Sequence, residues 1–171
     1  SGNASFVVTA TGTAISYQWR ENGTNLTDGG MYAGSNTSVL SLTNPPIASN
    51  GKTYDVVVTG NCNSATSSTA LLTVNPKTAI TTNPTNPGAI CDGAGNVNFA
   101  VAATGAAITY QWRENGINLT NGGIYAGATT NTLTITNPTI SSDGKTYDVV
   151  VSGTCGNVTS SAGKLTVNAN S

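Results

Sequence analysis

The chain contains no histidine, and this removes the commonest proton shuttle and the commonest metal ligand together. Ser–His and Cys–His nucleophile pairs are excluded, as is any histidine-bound zinc. Charge is scarce as well: six Lys and Arg against seven Asp and Glu in 171 residues, a formal net charge of −1. So few cations, spread along the chain, cannot release counterions from a phosphate backbone, and a nucleic-acid partner is not expected. The seven acids are scattered and lie mostly in turns, so no carboxylate pair is aligned for acid–base chemistry. No apolar run approaches the length that spans a bilayer, so membrane insertion is not expected, and no signal peptide stands at Ser1. The abrupt start reads as that of a piece of something longer. No catalysis, cofactor or metal is expected.

What is present is Thr, Asn, Ser and Gly at the polar positions, a composition suggestive of secreted and surface-exposed β proteins. Three cysteines in a core-poor chain point toward an oxidising compartment. The dominant feature is a repeat. Tyr17-Gln18-Trp19-Arg20-Glu21-Asn22-Gly23 returns, displaced by 93 residues, as Tyr110-Gln111-Trp112-Arg113-Glu114-Asn115-Gly116. Gly51-Lys52-Thr53-Tyr54-Asp55-Val56-Val57-Val58 returns as Gly144 to Val151, and roughly two thirds of positions 1–75 match their partners without a gap. Two modules follow, residues 1–75 and 76–171. The second includes a Pro/Thr/Asn-rich linker, 76–90, whose three prolines favour an extended, stiff connection.

Within each module apolar residues recur with period two, as at Phe99, Val101 and Ala103, at Tyr110 and Trp112, and at Leu133 and Ile135. Turn residues interrupt the chain at short intervals, and Asn115-Gly116 is the strongest hairpin signal among them. No helical stripe is present. The pattern predicts an all-β sandwich or barrel.

A Trp on the third strand, then Asn-Gly, Leu-x-Ile and Asp-Gly-x-x-Tyr, resembles the order of strands C, E and F of the immunoglobulin fold. The wording YQWRENG, GGxYAG and GKTYDVVVxGxC is similar to the Ig-like repeats of large secreted surface proteins of Bacteroidetes. The resemblance implies antiparallel β-sandwiches from a repetitive, adhesin-like parent, with Trp19 and Trp112 in the core and Tyr54 and Tyr147 at the tyrosine corner. Val56 and Val149 stand at the second core-cysteine position and Val8 and Val101 match the first, so the core disulfide is absent. Ser1 aligns with Ala94, so module 1 lacks the counterpart of Thr78–Gly93, which should contain the first strand. The open sheet edge that results is a pairing site, expected to be covered by preceding sequence in the parent.

Other residue readings are weaker in chemistry. Strand parity puts Arg20 with Asp55, and Arg113 with Asp148, outward as exposed cross-strand ion pairs. Asp28-Gly29-Gly30 and Asp143-Gly144 are turns with too few converging carboxylates for calcium, which leaves a site at the module junction as the minor alternative. Tyr32 and Tyr125, in the GGxYAG loop, are the candidate ligand-binding aromatics, able to stack on a saccharide or else to cap the sandwich. Asn22-Gly23-Thr24, Asn25-Leu26-Thr27 and Asn118-Leu119-Thr120 match the N-glycosylation pattern, which such a composition also yields by chance. Cys62, Cys91 and Cys155 are disulfide candidates. Either the segment 84–95 folds back to join Cys91 to Cys155, or the bridge crosses between neighbouring modules, since a disulfide needs Cα atoms within about 7 Å. The expected function is a non-catalytic, extracellular stalk, adhesin or filament component. Its partners would be neighbouring repeats, other copies of the chain, or surface polysaccharide or protein. A carbohydrate-binding accessory module of a secreted polysaccharide-degrading enzyme is the alternative.

Overall fold

A computed structural model describes residues 2–170 and shows an all-β chain that divides into two compact units, Ser1–Asn75 and Pro76–Ser171. Module 1 carries β1 (Ala4–Val7), β2 (Ser16–Glu21), β3 (Thr24–Asn25), β4 (Tyr32–Ala33), β5 (Val39–Leu42), β6 (Thr53–Thr59), β7 (Ser64–Thr66) and β8 (Ala70–Leu71). Module 2 opens with β9 (Ala79–Thr82) and β10 (Ile90–Cys91), continues with β11 (Asn96–Ala100), β12 (Ala102–Thr104), β13 (Thr109–Glu114) and β14 (Ile117–Asn118), and then β15 (Tyr125–Ala126) and β16 (Thr132–Thr136). It closes with β17 (Thr146–Gly153), β18 (Gly156–Thr159), β19 (Gly163–Lys164) and β20 (Val167–Asn168).

In module 2 one sheet runs β14-β13-β17-β18, with β19 also on β17, and the facing sheet runs β11-β16-β15. Module 1 repeats both, as β3-β2-β6-β7 with β8 on β6, and as β1-β5-β4. Every pair in these sheets is antiparallel. The two-residue turn between β13 and β14 places Asn115 at φ 49° and Gly116 at φ 84°, the pair of positive values that lets a tight hairpin follow strand twist.

The alternation seen in the sequence becomes an inner and an outer face. Along β11, Val97 and Phe99 are buried while Asn96, Asn98 and Ala100 are exposed. Trp112, Leu133, Ile135, Tyr147, Val149, Val151 and Leu165 join them between the sheets. The Trp112 indole N–H donates to the Thr130 carbonyl at 2.9 Å, so the one polar atom of the largest core side chain is satisfied. Trp19 does the same with Thr37.

The stretch read as a linker is largely built into the sandwich. β9 pairs antiparallel with β12, and β10 pairs parallel with β20. Between them the side chains of Asn83 and Asn86 accept from the backbone N–H groups of Ser161 and Lys164 at 2.9 and 2.8 Å. Among the described residues module 1 has no counterpart of β9 or β10.

Candidate functional site

Parity on β13 decides what the chemistry-bearing side chains can do. Trp112 points into the core, Arg113 away from it, and Glu114 inward again. Cross-strand register then sets Glu114 against Tyr147 and Arg113 against Asp148, and in module 1 Glu21 against Tyr54 and Arg20 against Asp55. An inward carboxylate costs several kcal/mol unless its oxygens find donors. Glu114 finds three. Tyr147 donates to Oε2 at 2.8 Å, the Tyr125 hydroxyl donates to the same oxygen, and Lys145 approaches Oε1 at 3.0 Å. Glu21 repeats the arrangement with Tyr54 at 2.7 Å, Tyr32, and Lys52 at 2.7 Å.

The electrostatics of the two clusters follow. Burial pushes the carboxyls of Glu21 and Glu114 upward, but the hydrogen bonds from lysine and the two phenols outweigh it and leave both below the usual value. The same clusters raise the phenols. Burial and then the adjoining glutamate move Tyr54 and Tyr147 far above their ordinary value, and Tyr32 and Tyr125 rise for the same two reasons. At neutral pH each cluster therefore holds a charged carboxylate between two neutral phenols.

Tyr54 and Tyr147 are fully buried, as are Trp112 and, within 3%, Trp19. At the tyrosine-corner position the hydroxyl binds a glutamate side chain. In the sequence Lys52 and Lys145 stand out by nothing beyond the repeat, and Glu21 and Glu114 only as acids that recur in both copies. The signal was available: a glutamate two residues after an inward tryptophan must also face inward. Tyr32 and Tyr125 are half-buried, lie against their module cores, and direct their hydroxyls to glutamate, which leaves only part of each ring facing solvent.

The Arg–Asp pairs form in both modules as two parallel hydrogen bonds, at 2.7 and 3.0 Å from Arg20 to Asp55 and at 2.7 and 2.8 Å from Arg113 to Asp148. They are more enclosed than the exposed pairs expected, with side-chain exposures of 27% and 11% for Arg20 and Asp55 and 26% and 19% for Arg113 and Asp148, and Asp55 is buried. The acids proposed for turns serve as backbone acceptors. Asp28 Oδ1 receives Ser35 N–H at 2.7 Å, and Asp143 Oδ1 receives Val167 N–H at 2.9 Å. Among the described residues no three His, Cys, Asp or Glu side chains converge as a metal site would require.

Cys62 follows β6 and Cys155 sits in the turn between β17 and β18, whereas Cys91 lies on β10 beside Asn168. All three are exposed, and no disulfide is formed among the described residues. The segment 84–95 does not fold back toward the β17–β18 turn. Pairing of β10 with β20 holds Cys91 at the end of the sandwich where β17 begins, roughly eight strand residues, or about 25 Å, from the turn that carries Cys155. The within-module bridge is therefore excluded by the fold.

No family profile matches the chain, and no curated protein matches it in sequence. Solved structures do. A three-domain segment of titin, domains I67–I69, matches with a TM-score of 0.67 over 98% of this chain and 60% of that one, at 18% identity. Extracellular domains 3–5 of Drosophila OTK match with a TM-score of 0.66 over 98% and 57%, at 21% identity. The N-terminal four Ig domains of Dscam1 match with a TM-score of 0.57 over 98% and 41%, at 17% identity. The chain thus spans about three fifths of the first two, and identities this low speak for fold alone. Two sheets in the same order, repeated in tandem with a tryptophan core and matched along their whole length by consecutive Ig domains, make this chain a pair of immunoglobulin-like β-sandwiches.

Proposed function

We propose that the chain is a two-module segment of an extracellular, repetitive stalk or adhesin of the kind its wording resembles in Bacteroidetes, with modules 1–75 and 76–171 as its repeating units. The observation that carries this reading is the fate of the ionisable groups. In both modules the repeated Arg, Asp, Glu and Lys side chains are consumed in matching structural bonds, and what faces outward is mainly Thr, Asn and Ser. Such a surface suits display and contact between neighbouring repeats or copies, and carries no chemistry of its own. A carbohydrate-binding accessory role draws no comparable support, since Tyr32 and Tyr125 are half-buried against their module cores and offer only part of each ring for stacking.

The test is binding of the two-module chain to a panel of soluble and insoluble polysaccharides, alongside a Tyr32→Ala/Tyr125→Ala variant. The stalk reading expects no saturable binding to any member. Saturable binding that the double variant loses would replace it with the carbohydrate-binding role.

A further inference from the structure

We propose that the open groove of module 1 is an acceptor for an extended, uncharged β-strand of the Thr-Ala-Ile-Thr-Thr type, taken up antiparallel along Thr9–Thr11. The groove has a volume of about 550 Å³ and is lined by Val8, Thr11, Gly12, Val58, Gly60 and Ala65 among others, with no charged side chain. It is an interaction surface that stands independently of the extracellular reading.

Its occupant is identified by the other half of the chain. The counterpart of Thr9–Thr11 is β12, and β12 is a strand because β9 pairs with it: Ala102 faces Thr82, Ala103 faces Ile80, and Thr104 faces Ala79. In module 1 the same backbone, lacking a partner strand, forms no strand. Ahead of β9, Thr78 is buried and presses on two glycines. A Cβ at Gly153 would lie 2.5 Å from Thr78 Oγ1, and one at Gly105 3.2 Å from Thr78 Cα. Module 1 has glycine at both equivalent positions. Gly60 is the informative one: a Cβ there would meet nothing closer than 3.6 Å, and its φ is not one that excludes side chains. Within module 1 nothing requires glycine at 60; a docked threonine would.

The core agrees. Phe99, Val101, Val151 and Val167 are buried, while their counterparts Phe6, Val8, Val58 and Val74 are only half-buried. Ala65 replaces Val158, so the groove has room for a side chain at least as large as Ile80. The likeness ends further along. Ala70 stands where module 2 has Gly163, and a Cβ at Gly163 would lie 2.8 Å from the Phe99 ring and 3.1 Å from the Thr85 carbonyl. The acceptor therefore takes the first half of such a segment, matching residues 78–82, and not the crossing that follows.

The probe is a synthetic peptide of residues 77–83, Lys-Thr-Ala-Ile-Thr-Thr-Asn, added to a Trp112→Phe chain in which Trp19 alone reports on module 1. Saturable binding with an upward shift of the module 1 melting transition is expected. Gly60→Ala, which the free module accommodates, should weaken binding at least tenfold without moving the midpoint of the unbound protein, and a peptide with Asp in place of isoleucine should not bind. In case free-peptide affinity is low, the same seven residues are joined ahead of Ser1 through a flexible linker, which raises their effective concentration to about millimolar. That version should melt about 4–8 °C higher, a gain abolished by Gly60→Ala. No shift in the tethered form, or equal shifts with Gly60→Ala or the Asp peptide, would overturn the proposal. Dimerisation of the chain alone, abolished by Gly60→Ala yet untouched by excess peptide, would assign the groove to another surface of a second copy and overturn it as well.

Discussion

Two glutamates, one in each module, draw in side chains from both sheets of their sandwich. Each takes two phenol hydroxyls on one carboxylate oxygen and a lysine on the other, a charge-assisted network closed over the edge of the core. Glu114→Gln should cost about 2 kcal/mol in urea unfolding, because a neutral amide offers weaker acceptance and leaves Lys145 without its partner charge. The pH dependence follows from the directions of the shifts. A carboxyl held below its ordinary value of 4.5 lends stability above that value, and the contribution is lost as pH falls through the folded-state value. A phenol raised above 10.0 lends stability below pH 10, and this is lost as pH climbs toward its folded-state value. Melting temperature measured against pH should therefore be flat between about 5 and 9.5 and fall on both sides. Thr78 invites the opposite kind of change. Its buried hydroxyl has no hydrogen-bond partner, so Thr78→Val should be neutral or stabilising by up to about 1 kcal/mol in the same assay. The core tryptophans and the Arg–Asp register could be read from strand parity alone. The glutamate clusters could not be read as clusters, because Tyr125 reaches Glu114 from the other sheet, a contact that depends on how the two sheets face each other.

Hairpins and strand ends carry the next level of specification. Gly116 and Gly127 both hold positive φ, at 84° and 77°, but they differ in what surrounds them. A Cβ at Gly116 meets nothing within 4 Å, whereas at Gly127 it would lie 2.1 Å from the Thr132 carbonyl oxygen. Gly116→Ala should thus cost only the left-handed backbone penalty, about 1–2 kcal/mol, while Gly127→Ala should cost more than about 4 kcal/mol in the same denaturant titration. The Asn115-Gly116 turn was legible because a two-residue loop has a chemical signature of its own. The path of residues 76–90 was not. β10 and β20 are two residues long, too short to show any periodicity, and their pairing joins positions 77 residues apart. Prolines in that stretch suggested a spacer, although proline equally suits a strand on a sheet edge.

The two modules share a plan but not a core. Eleven buried residues form the centre of module 2 and six that of module 1 among the described residues, so module 1 should be the less stable. Denaturant unfolding should show two transitions, and Trp19→Phe and Trp112→Phe variants should assign the earlier one to module 1. A single transition reported alike by both variants would contradict this. Tandem architecture itself was open to inspection in the sequence, since a repeat without gaps needs no structure to be seen. The parallel pairing of β10 with β20 has a further consequence. β10, the second strand of module 2, and β20, its last, lie side by side and point the same way, so tension along the chain that reaches β10 slides one past the other. The bonds at Ile90–Val167 and Cys91–Asn168 are then strained together instead of parting one by one, and the module meets a pull along the chain as a lap joint does, in shear.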